Sequence, residues 1–234
     1  MNIRAILLVL LVILFSLGCV LFSFMSFDSN SLKDAYQEGN VEIIQNTTAG
    51  TVPHVIEIKN TGKKPLMVET GQILTSNSSQ DLVVAQNKKI NQNSSAEVKA
   101  YCFQPEQKAI PGSKLIPSNK ASSQIKEVIK NSNLLDKNNA TQTQLQIWIL
   151  VSQDNVNLNS GEAIALMEKQ EITSAKILQE LSDARNNLIK TLNITTEDLK
   201  NMGNNSTSNI LNELYNVITG FINWIKNSFG IQTI

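Results

Sequence analysis

The feature that most constrains this chain is its first apolar run, Ile3 to Phe27, which carries no charge after Arg4. At about 1.5 Å per residue a helix of this length reaches roughly 37 Å, enough to cross a hydrocarbon core of about 30 Å with some tilt. A cleaved secretory signal has a shorter apolar region closed by small residues, whereas this run continues through Val20, Leu21, Phe22, Phe24 and Phe27. Ser16-Leu17-Gly18-Cys19 faintly resembles a lipoprotein cleavage box, with Ser16 where such a box prefers leucine. The expectation is an uncleaved anchor, with a lipoprotein or a cleaved signal as the other readings.

Orientation follows from flanking charge. Arg4 and the free amine precede the run, while Asp28, Lys33, Asp34 and Glu38 follow it. The positive-inside bias then predicts a single-pass cell-membrane protein, N-terminus cytoplasmic and bulk extracellular. The remainder is polar, with a formal net charge of +0, which excludes the basic footprint of a nucleic-acid binder. The 2 cysteines are Cys19 and Cys102, so the extracellular part has no disulfide framework and depends on an apolar core. Sequons at Asn46, Asn77, Asn93, Asn139, Asn193, Asn204 and Asn205 are compatible with an exposed surface.

In chain order the organisation reads as an anchor (1–28), a connecting helix (29–40), a β-sandwich (41–117), a helical extension (118–202), and a linker with an amphipathic helix (203–234). Ser31 is placed to cap the connecting helix and Gly39 to stop it. From Val41 the period changes to two: His54, Ile56 and Ile58 share one face while Glu57 and Lys59 take the other. Asn60 to Pro65 has turn chemistry, and strands follow at Leu66–Val68, Gly71–Thr75, Asp81–Ala85 and Ala96–Phe103. These predict a small antiparallel sandwich. Pro111, Gly112 and Pro117 then break the chain. Ile147-Trp-Ile-Leu-Val151 is apolar all round, a buried helix or a buried strand. Helices opened by Ser160 and Thr173 follow, the second with Ile177, Leu181, Ala184 and Leu188 at the helical interval. The fold class expected is therefore α+β: a transmembrane helix, an Ig-like sandwich and a C-terminal helical layer.

From Ala35 to Leu192 the chain resembles a widespread group of uncharacterised, membrane-anchored extracellular domains of bacteria and archaea. The residues that carry the resemblance are Gly39-Asn-Val41, Ile58-Lys-Asn60, Lys64-Pro-Leu66, Gly71-Gln-Ile-Leu74, Gln80-Asp-Leu-Val-Val84, Val98-Lys-Ala-Tyr-Cys-Phe103 with Pro105 and Pro111, Gln146-Ile-Trp-Ile149 and Ile177-Leu178. It implies an immunoglobulin-like sandwich with a helical extension, and no assigned chemistry.

Candidate chemistry is sparse. Cys102 ends a strand in phase with Val98 and Ala100, which makes it a buried small hydrophobe, or a thiol at the sheet edge that forms a mixed disulfide. His54, the single histidine, reads as structural. A zinc site takes about three or four N or S ligands, and one His with one Cys does not supply them. Asp154 to Glu162 has oxygen side chains at alternate positions. Counted from Asn155, however, Gly161 falls one place late and Leu166 stands where a calcium loop has its glutamate. No phosphate loop or paired catalytic carboxylates are visible.

No catalytic residue, metal or cofactor is therefore expected. Leu214, Ile218, Phe221, Trp224 and Ile225 line a terminal helix that docks on its own domain, lies in a membrane plane, or meets a partner. The functional expectation is a structural or protein-interaction module of the cell envelope, held by residues 3–27 and meeting an envelope protein, with no nucleic acid. The alternative is a small-ligand-binding or sensory ectodomain acting through a partner, and a third is a thiol-based redox protein built on Cys102.

Overall fold

The computed structural model describes residues 11–12, 29–152 and 155–199. From residue 29 the described chain runs through a two-residue strand, β1 (Asn30–Ser31), and a short helix, α1 (Leu32–Gln37). Ser31 caps α1 as expected: its Oγ accepts from the Asp34 N–H at 3.2 Å and donates to the Asp34 carboxylate at 2.6 Å. Gly39 stands at φ 73 beyond the helix, and Leu32 and Ala35 are its buried residues.

Eight strands follow: β2 (Val41–Gln45), β3 (His54–Asn60), β4 (Leu66–Val68), β5 (Gln72–Thr75), β6 (Leu82–Val84), β7 (Lys88–Ile90), β8 (Ser94–Cys102) and β9 (Ile116–Lys120). Six make one antiparallel sheet in the order β2-β3-β8-β6-β5-β9, and β1, β4 and β7 make a small one, with β1 parallel to β4 and β4 antiparallel to β7. The large sheet curls until its two edges share one piece of chain. Residues 112–115 bond to the outer edge of β2, through Gly112 N–H to Gln45 O (2.8 Å), Gln45 N–H to Ser113 O (3.0 Å) and Leu115 N–H to Ile43 O (3.0 Å). The same chain runs on as β9 along β5. A curled sheet with tied edges leaves few unpaired backbone groups.

The hydrophobic pattern accounts for this shape. Val41, Ile43, Ile56, Ile58, Leu74, Leu82, Val84, Val98 and Ala100 face inward with Leu66, Val68 and Ile90 of the small sheet, closed by Leu32 and Ala35 of α1. Leu82, Val83 and Val84 are all buried because β6 has a core on each face. Its second face, with Tyr101 of β8, meets four helices: α2 (Ser123–Lys130), α3 (Lys137–Val151), α4 (Gly161–Gln170) and α5 (Ser174–Leu192). Asp136 caps α3 by accepting from the Asn138 and Asn139 N–H groups at 2.9 and 3.1 Å. The segment of open secondary structure is thus a helix, and it is apolar all round because Leu145, Ile147, Trp148 and Ile149 are enclosed on every side.

α3 also finishes the sheet. Gln144 accepts from the Cys102 N–H at 2.9 Å and donates to the Cys102 carbonyl at 2.7 Å, as a further strand would. Gln144→Ala would orphan both groups in a dry site, at about 1–3 kcal/mol each, so urea titration should read a loss of roughly 2–6 kcal/mol.

Two expectations are corrected here. The fold is a curled six-stranded sheet with a small mixed sheet and helices, because the tied edges and the parallel β1–β4 pair replace the two facing antiparallel sheets of an Ig-like sandwich. The expected transmembrane helix, and with it the single-pass cell-membrane, extracellular localisation, has no support: no helix among the described residues is long and apolar enough to cross a membrane. Apart from Leu11 and Val12, residues 3–27 lie outside the described residues, as does the terminal helix of Leu214, Ile218, Phe221, Trp224 and Ile225.

Candidate functional site: a buried imidazole–carboxylate cluster

The single histidine opens β3 on the inward phase, with Ile56 and Ile58, and is 0% exposed. A buried imidazole needs partners for both nitrogens. Its Nδ1 lies 3.0 Å from Thr47 Oγ1 and 3.4 Å from Gln45 Nε2, and its Nε2 lies 2.9 Å from Glu162 Oε1. Glu162, also 0% exposed, stands in the first turn of α4, where the helix dipole favours a carboxylate.

Glu162 is held from several sides. Oε1 also accepts from the Gly50 N–H at 2.6 Å, and Oε2 accepts from the Ala109 N–H at 3.2 Å. A carboxylate that accepts at both oxygens assigns the imidazole proton to Nε2, which leaves Nδ1 to accept from Thr47 and Gln45. The Gln80 amide reaches the same Nε2 at 2.8 Å, and its Oε1 has no partner among the described residues. Since an N–H against an N–H repels, the amide oxygen is the group that faces the ring, sharing the Nε2–H with Glu162. Ser79 extends the network, donating to Gln45 Oε1 at 3.2 Å and accepting from the Ile110 N–H at 3.0 Å.

The backbone around the pair leaves no slack. A Cβ on Gly50 would lie 2.2 Å from the Ala165 carbonyl oxygen, and one on Gly161 would lie 2.0 Å from that of Glu106. Ser160, at the N-cap of α4, makes no capping bond with its side chain, and the Pro105 carbonyl instead accepts from the Glu162 N–H at 2.8 Å. Loops 46–53 and 104–109 therefore clamp the start of α4 against the sheet, with the imidazole–carboxylate pair between them.

Such a pair is the ordinary equipment of general acid–base catalysis, which requires a reacting proton within hydrogen-bond reach. Here both carboxylate oxygens and both ring nitrogens are already engaged, and the pair has no exposed surface. Through these bonds the pair fastens α4 to the sheet. Among the described residues no group of three or more His, Cys, Asp and Glu side chains is placed to hold a metal ion.

Cys102 is also 0% exposed and donates to the Gln104 carbonyl at 2.8 Å. Burial pushes its thiol well above the ordinary value of 9.0 and the nearby Glu162 carboxylate adds to the rise, while the Trp148 side chain and the Gln104 backbone oppose it. Native protein should therefore resist iodoacetamide at neutral pH, and the thiol should react at once after unfolding; rapid native alkylation would restore the reactive reading. Burial likewise raises Tyr101 above 10.0, against the hydroxyls of Ser132 and Thr143. Both groups have folded pKa values above their unfolded ones. Their contribution is complete below about pH 9 and is lost as pH rises further, so the urea midpoint should fall from about pH 9 upward, later in Cys102→Ala.

Compared with protein-family models, residues 11–204 match the ARPP-1 family, described as the ARG and Rhodanese-Phosphatase-superfamily-associated Protein domain. That is most of the chain. The chain belongs to the ARPP-1 family. No curated protein and no solved structure matches it. Membership corrects the resemblance to extracellular, membrane-anchored Ig-like domains. The motifs behind it, such as Lys64-Pro-Leu66 and Gly71-Gln-Ile-Leu74, are turn-and-strand pieces that many β folds use. The ARPP-1 match also begins inside the apolar run that was expected to be a separate anchor. The family's description names an association with ARG and with the rhodanese–phosphatase superfamily, and it names no envelope protein.

Sequence reasoning placed His54 on the inward face of its strand and missed its partner. Glu162 reads as an ordinary first-turn acid, 108 residues away. The available signal was the histidine itself: an inward imidazole demands a buried acceptor, and a carboxylate opening a helix is a candidate for one.

Proposed function

We propose that this ARPP-1 domain is a non-catalytic interaction module whose partner belongs to the rhodanese–phosphatase superfamily. The observation that carries the reading is the state of the His54–Glu162 pair: its polar atoms are consumed in fastening α4 to the sheet, so none is left to meet a substrate. The family's description supplies the class of partner. A contact surface is available where the chain closes the sheet. Ile110 and Ile116 are 49% and 39% exposed and, with Tyr36 and Pro111, border a groove of about 630 Å³. Exposed apolar side chains grouped around a groove favour contact with another protein.

The test is titration calorimetry of the full chain against the rhodanese–phosphatase superfamily protein of the same cell. A saturable complex, weakened about tenfold or more by Ile110→Asp with Ile116→Asp, is the expected result. Absence of a complex at concentrations near 100 µM, on the order of the weakest useful affinities, would overturn the reading.

A further inference from the structure

A second groove, of about 820 Å³, lies between α2 and the ends of β4 and β7, away from the Ile110 surface. Its floor is apolar, made by Met67, Ala85 and Ile129, and two lysines overhang it, Lys126 and Lys130, one turn apart on α2. We propose that this groove binds a small organic anion, a carboxylate or phosphate group carried on a compact apolar body.

Charge accounting supports the choice. One carboxylate, Glu69, lines the groove itself and is paired with Lys120, while Glu127 on α2 does not line it and accepts from Asn131 at 3.2 Å. Lys126 and Lys130 have no acidic partner among the described residues. Two like charges at i and i+4 repel, and a helix without a ligand gains nothing from placing both there. The dipole of α2 accounts for Lys130, in the last turn, and not for Lys126.

Lys126 is also held in place. Its methylene chain lies across Gly71, where an added Cβ would come within 2.7 to 3.2 Å of its side-chain carbons. A lysine stem packed along a surface with its head in water is ordinary, and here that packing fixes the stem while the side chain lines the groove. At the opposite rim the Thr70 N–H donates to Asn87 Oδ1 at 2.7 Å, which orients that amide and leaves its N–H₂ as a donor toward the groove. Two ammonium groups and an amide donor above an apolar floor match a head that is anionic and a body that is not. The site does not depend on the partner reading above.

The experiment is nitrogen-15 NMR titration of the full chain with phenyl phosphate, benzoate, inorganic phosphate and benzyl alcohol, followed at the amides of Thr70, Asn87 and Ser132. Saturable shifts with phenyl phosphate or benzoate, and none with the neutral alcohol, are expected; which of the two binds more tightly identifies the head group. Lys126→Gln keeps most of the stem over Gly71 and should weaken binding about tenfold, with a smaller effect from Lys130→Gln. Added salt should weaken it further. No saturation with either organic anion, equal binding of inorganic phosphate, or an unchanged affinity in Lys126→Gln would each overturn the proposal.

Discussion

Glu162→Ala should lower the stability of this protein more than almost any other single side-chain truncation. It strips the acceptor from the Gly50 N–H and the Ala109 N–H and leaves the His54 Nε2–H with the Gln80 oxygen alone, all inside a buried site. Each buried donor abandoned costs about 1–3 kcal/mol, and more where the lost acceptor was charged, so the loss should be about 3–5 kcal/mol. For a domain of this size that is roughly 10 °C in Tm. Glu162→Gln keeps one acceptor oxygen and brings a surplus N–H₂, so its loss should be intermediate. Calorimetry of the three proteins checks the order. A Glu162→Ala protein within about 1 kcal/mol of wild type would mean that the cluster contributes little.

Gly50→Ala is the second. The residue stands at φ 75, in the left-handed region that disfavours a side chain by about 1–2 kcal/mol. Its added carbon would fall 2.2 Å from the Ala165 carbonyl oxygen and 2.5 Å from the carbonyl carbon, backbone atoms that cannot swing away. α4 would have to retreat, and the 2.6 Å bond from the Gly50 N–H to Glu162 would go with it. A loss on the order of 4 kcal/mol or more is expected. Gly112→Ala supplies the control: φ is 83, but nothing lies within 4 Å of the new carbon, so only the conformational cost of about 1 kcal/mol remains. Combined with Glu162→Ala, Gly50→Ala should be strongly non-additive, since both variants release the same helix.

Local chemistry was the legible part of this fold. Ser31, Gly39, Ser160 and Thr173 mark helix ends, and the alternation from His54 to Lys59 marks β3, because each such signal is complete within a few residues. Two later strands were not legible. β7 is Lys88-Lys-Ile90 with one buried residue, and β9 contains Pro117 at an irregular register against β5, where an edge strand tolerates proline. The curl of the sheet was hidden because residues 112–115 read as a chain break, and only their pairing with β2 gives them a place. The cluster was hidden for a related reason. Gln45, His54, Gln80 and Glu162 come from four separate segments, and no spacing in the sequence connects them. The apolar run drew the reading toward a membrane on length and hydropathy alone.

The most direct test of the account uses the fact that His54 is the single histidine. Diethyl pyrocarbonate reacts with accessible neutral imidazole, so the rate of carbethoxylation of the native protein, read at one residue, reports whether the pair is sealed. The account predicts that His54 stays unmodified while the protein is folded and reacts at the rate of a free imidazole once urea unfolds it. Rapid, complete modification of a protein that keeps its native circular dichroism would contradict it, and would make His54 and Glu162 groups within reach of a substrate.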